Sequence, residues 1–103
     1  WKGDQTHYAY GNRCFMGMID LLLKKGKPEE ALKRYKRFNI EAKRSTYWRM
    51  SLYLQYAEVL KHNDLHGQAA TILTKVLRAG EASESQKEHA RAAIKKLVGE
   101  MEE

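Results

Sequence analysis

A chain of 103 residues, 43% hydrophobic and with a single proline, has room for one compact domain or about three stacked helical hairpins, and this composition excludes a disordered linker. Its one cysteine, Cys14, excludes an internal disulfide and points to a reducing interior, cytoplasmic or mitochondrial/organellar. The net charge of +6 is concentrated between Lys24 and Arg44, where nine basic residues oppose Glu29, Glu30 and Glu41 while the rest of the chain balances. Residues 1–11, with Trp1, Tyr8 and Tyr10, form an entry segment whose aromatics pack on the first hairpin. From Asn12 to Lys25, Phe15, Met18, Ile19 and Leu22 recur at i, i+3, i+4 and i+7, the signature of an amphipathic helix. Met16, Leu21 and Leu23 widen the stripe, as suits a helix with neighbours on more than one side.

Gly26 suits the left-handed residue that ends this helix, and Pro28 suits the first turn of the next. Glu29 and Glu30 then complement the positive end of the helix dipole. Over Pro28 to about Asn39, Ala31, Leu32, Tyr35 and Phe38 share one side, and Lys33, Lys36 and Arg37 the other. The basic cluster is therefore a helix face, continued by Lys43 and Arg44 in the connection to the third helix. It reads as a solvated face before a binding one, and a contact with nucleic acid or an acidic partner is the alternative.

Ser45 or Thr46 caps a helix over about Tyr47 to Lys61 that is apolar nearly all round, which predicts a central position. His62-Asn63-Asp64 breaks it, and Asp64 is the expected N-cap of a helix over Leu65 to Arg78 that ends at Gly80. Ser85-Gln-Lys-Glu88 fits a capping box. Beyond it Ala90, Ala93, Ile94, Leu97, Val98 and Met101 trace one face of an amphipathic end helix, read as a cap or, alternatively, as the first helix of a repeat whose partner lies beyond Glu103. The domain thus comprises an entry segment (1–11), hairpins over 12–39 and 45–80, and a capping helix over 85–101. No run approaches the roughly 18 apolar residues of a membrane span. The chain opens on Trp1 without a signal or transit pattern, so it reads as a fragment of a longer protein.

Superposing the hairpins at an offset of 38 residues brings Ala31 onto Ala69, Phe15 onto Tyr53, Leu22 onto Leu60, Tyr35 onto Leu73 and Phe38 onto Val76. This pattern resembles the tetratricopeptide and pentatricopeptide repeats. Met18 to Leu32, MID-x-L-x-K-x-G-x-x-EEAL, and the LRAG of Leu77 to Gly80 are similar to the pentatricopeptide consensus. The resemblance covers about residues 13–80 and implies an all-α fold of antiparallel hairpins stacked as a short right-handed solenoid. It implies a groove lined by the first helix of each pair, and the second helices facing outward. Both families have periods near 34–35, shorter than the one here. The base-reading positions of pentatricopeptide repeats fall on Gly17, which has no side chain, and Gln55.

Catalytic chemistry finds no constellation. His62 and His66 have a zinc-like i, i+4 spacing, but the break between them spoils a shared face, so no metal is expected. Cys14 reads as a buried helix cysteine rather than a nucleophile paired with His7, and His89 has no evident partner. No cofactor and no small-molecule substrate are expected. The leading expectation is a non-catalytic scaffold that holds a partner protein in a groove contributed by Tyr53, Gln55 and Tyr56. RNA binding or ribonucleoprotein assembly in an organelle is the alternative, through Lys33, Lys36, Arg37, Lys43 and Arg44.

Overall fold

The computed structural model describes the backbone of residues 5–41 and 45–101, with side chains from 11 to 41 and from 45 to 100. Among the described residues the fold is all-α: α1 (Gln5–Lys24), α2 (Pro28–Arg37), α3 (Thr46–His62), α4 (His66–Arg78) and α5 (Glu84–Met101). Trp1, Lys43 and Arg44 lie outside the description, as do the side chains of His7, Tyr8, Tyr10 and Met101. The first helix starts at Gln5 rather than Asn12. Gly11 alone does not stop it, because one glycine costs a helix only about 1 kcal/mol.

The α1–α2 and α3–α4 turns have one design. Gly26 sits at φ 72°, where its N–H donates to Leu23 O at 3.1 Å and the Lys27 N–H donates to Leu22 O at 2.9 Å. This is the paired closure of a helix that ends on a left-handed residue. At the corresponding place Asp64 has φ 61°, with Asp64 N–H to Lys61 O at 3.0 Å and Leu65 N–H to Leu60 O at 2.9 Å. Asp64 therefore terminates α3 and does not cap α4. Leu65 occupies the N-cap without a side-chain bond, as Lys27 does before α2. Asn63 completes the turn, its Nδ2 donating to Val59 O at 2.8 Å and to Pro28 O of the other hairpin at 2.9 Å.

The remaining ends follow local chemistry. Ser45 caps α3 by accepting from the Trp48 N–H at 3.4 Å. Gly80 is not left-handed; α4 ends at Arg78, with Ala79 extended. The capping box of α5 lies earlier than Ser85: Ser83 Oγ accepts from the Gln86 N–H at 3.1 Å, and Gln86 Oε1 accepts from the Ser83 N–H at 3.0 Å. Serine precedes a Glu or Gln by three at both places, so the sequence offers two boxes and the structure uses the first.

Packing is between neighbours. α1 meets α2 and α3, α4 meets α3 and α5, and α3 touches all four other helices. Among the described residues neither α1 nor α2 reaches α4 or α5. The all-round apolar sequence of α3 explains its central place: Leu52, Val59 and Leu60 are essentially inaccessible. Ala31 and Ala69 are equally buried, and their small side chains let the helices of each pair approach closely. Phe15 stacks on Phe38 at 3.8 Å between ring centroids and meets Tyr35 edge-on at 4.9 Å, which closes the first hairpin.

Candidate functional site

Two buried glutamines fix α1, α3 and α5 side by side. Gln55 donates from Nε2 to Met16 O at 2.8 Å and to Asp20 Oδ1 at 2.9 Å, while its Oε1 accepts from the Tyr35 hydroxyl at 2.5 Å. Gln86 repeats the arrangement two helices on, donating to Tyr47 O at 2.8 Å and to Ser51 Oγ at 3.0 Å. In both cases the amide bridges a main-chain carbonyl and the side chain one turn further along the helix two before its own. Buried amides are costly unless paired, so these bonds specify the register between helices.

The three helices leave a hollow of about 520 Å³ lined by Met16, Asp20, Ser51, Leu54, Gln55, Glu58 and His89. It continues past Leu54, Glu58 and His89 into a crevice of about 380 Å³ that reaches Ala92 and Lys96 on α5. Met16 and Leu54 supply apolar floor, and Asp20 and Glu58 supply carboxylates. Glu58 is paired with Lys61 and His62, and Lys61 and Lys96 line the crevice, so the surface accommodates an extended segment with apolar side chains and charges of both signs.

Of the three residues expected in a groove, only Gln55 lines this hollow, and both of its amide N–H groups are already bonded within the protein. Tyr53 and Tyr56 lie about 200° and 140° round α3 from Ser51, at about 100° per residue, and so face elsewhere. Tyr53 is buried. Its hydroxyl donates to the Glu41 carboxylate, and Lys75 Nζ stands 4.8 Å from its ring centroid. Burial, and then the hydrogen bond to that carboxylate, push its phenol above the usual tyrosine range. Tyr53 instead borders a separate hollow of about 770 Å³ with Arg49, Thr71, Thr74, Lys75 and Arg78. Tyr56 stacks on Tyr35 with centroids 5.1 Å apart. A helix apolar on every side gives no periodicity from which to select its groove face. The signal that does select it lies in the offset of 38: Met16 matches Leu54 and Asp20 matches Glu58, apolar with apolar and acid with acid.

Lys33, Lys36 and Arg37 are exposed on α2, which does not border the hollow. They form no ion pair or hydrogen bond with the described residues, whereas Arg34 pairs with Glu30 at 3.4 Å. His62 and His66 diverge: His62 Nε2 lies 3.4 Å from Glu58, and His66 Nε2 lies 3.8 Å from Glu100. Among the described residues, no group of three or more potential metal ligands occurs, and no helix is long and apolar enough to cross a membrane. Cys14 is exposed, contrary to the buried position expected, because no helix covers that side of α1. No family model matches the chain, nor does any of the curated proteins or solved structures compared with it.

Proposed function

We propose that the chain is a non-catalytic helical-repeat scaffold that holds an extended segment of a partner protein in the hollow between α1, α3 and α5. The observation that carries this reading is the composition of the hollow: Asp20 and Glu58 stand beside Met16 and Leu54, while Lys33, Lys36 and Arg37, unpaired among the described residues, lie outside it. The repeat reading is supported by the shared turn geometry at Gly26 and Asp64, by the equivalent bridges from Gln55 and Gln86, and by contacts restricted to neighbouring helices. These features suit a short tetratricopeptide-like or pentatricopeptide-like solenoid.

A photo-crosslinking side chain in place of Leu54, used in extract of the source cells, tests the scaffold reading. The expected adduct is a protein segment that survives nuclease and is lost when Asp20 and Glu58 are both changed to lysine. A nuclease-sensitive adduct, or none, would overturn it. The exposed, unpaired Lys33, Lys36 and Arg37 favour RNA as the second reading. In that case a labelled random RNA pool would bind with an affinity falling steeply with salt, as phosphate neutralisation releases counterions, and charge reversal at the three residues would abolish binding.

A further inference from the structure

We infer that the outward side of α1 is a second docking surface, separate from the hollow, and that its occupant is an acidic amphipathic helix. On α3, Leu52, Gln55 and Val59 form one stripe by their i, i+3, i+7 spacing; all three are buried, and the bonds of Gln55 to Met16 and Asp20 show that the stripe lies against α1. Beside it Tyr56 receives the ring of Tyr35 from α2. At an offset of 38 residues the same positions on α1 are Cys14, Gly17, Leu21 and Met18. Here Cys14 and Gly17 are exposed, Leu21 is 52% exposed and a Cβ built on Gly17 meets nothing within 4 Å, while Met18 is half-buried with its Sδ 3.4 Å from Arg34 Nη1. The face with which α3 buries itself on a helical pair thus recurs on α1, where among the described residues only Arg34 reaches it, at Met18.

Charge selects the occupant. Met18 also borders a hollow of about 490 Å³ whose floor is Phe15 and Phe38 and whose rim carries Lys33, Arg34 and Arg37. Glu30 is committed to Arg34, which leaves Lys33 and Arg37 without a partner among the described residues. Lys24 and Lys25 prolong the strip at its far end. An apolar strip flanked by unpaired cations fits a helix with one apolar face and glutamates or aspartates along its edges. A second copy of this chain would bring the same cations together. An RNA would leave Leu21 and Met18 facing phosphate and water.

Cys14 is the chain's single cysteine, so its alkylation by iodoacetamide reports directly on this face. The probe is a helical peptide with leucine at i, i+3, i+4 and i+7 and glutamate on both flanks, set beside the same peptide with lysine for glutamate. At about ten times its dissociation constant the acidic peptide should slow alkylation about tenfold by mass action, and the lysine peptide should leave the rate unchanged. Leu21→Asp should remove the protection with no loss of helicity, since Leu21 is half exposed. Charge reversal at Lys33 and Arg37 should transfer the protection to the lysine peptide. Equal protection by the two peptides, protection that survives Leu21→Asp, or none at all would overturn the inference. So would a rate that falls with protein concentration alone, or on addition of the random RNA pool. None of these outcomes depends on the hollow at Leu54.

Discussion

Gly26 and Asp64 share a left-handed backbone, yet only one of them lacks a Cβ. A Cβ on Gly26 would meet no atom within 4 Å, so Gly26→Ala carries no steric cost beyond its own backbone and should destabilise the chain by about 1 kcal/mol. Asp64→Gly should act in the opposite sense. It relieves the left-handed cost but loosens the unfolded chain, for a net gain of about 0.5 kcal/mol. Urea denaturation of the two variants checks the pair, and shifts of the same sign would refute the conformational account. The role of Gly26 is legible in the sequence because a glycine two residues ahead of a proline, between two helical periods, has few other uses. That of Asp64 is not, since aspartate is favoured at an N-cap and is also among the few side chains tolerated at positive φ. The Leu65 N–H bond to Leu60 O decides between them, and it exists only once the chain has turned.

Helix α5 shows how an element's start can be readable in kind but not in place. Ser83-Glu-Ser-Gln86 and Ser85-Gln-Lys-Glu88 both satisfy the capping-box pattern. What separates them is the second task of Gln86: buried, it caps the helix through Oε1 and reaches Tyr47 and Ser51 of α3 through Nε2. Ser83→Ala should therefore cost about 1 kcal/mol as a lost cap, and Ser85→Ala almost nothing. Gln86→Ala should cost about 2–3 kcal/mol, because the cap and the bonds to α3 are lost together. Equal effects at the two serines in chemical denaturation would contradict the assigned cap. The hairpin of α1 and α2 could be read from Gly26, Pro28 and the 3.6 period because its signals are local. That Asp20 and Glu58 border the hollow while Tyr53 lies on the other side of α3 is set by the stacking of α1 on α3.

At the scale of the molecule, an all-α chain was legible from periodicity alone, and so was the central place of α3, since a helix apolar on all sides must be covered on all sides. Which face of a helix is left exposed depends on how the helices pack, and no local pattern records that. The elongated shape, 49 × 33 × 18 Å, and the absence of contacts, among the described residues, between the first hairpin and either α4 or α5 make stability a sum of neighbour terms. Protection from hydrogen exchange should then be graded. The amides of α3, which has four neighbours, should exchange most slowly, and those of α1 and α5, each open on one side, sooner. Gln86→Ala sharpens the test, because the bonds it removes, the cap of α5 and those to Tyr47 and Ser51 of α3, all lie away from α1 and α2. It should speed exchange in α5 and leave α2 unchanged relative to the wild-type chain under native conditions. If α2 accelerates as much as α5, the molecule opens as one cooperative unit, and neighbour-by-neighbour coupling is wrong.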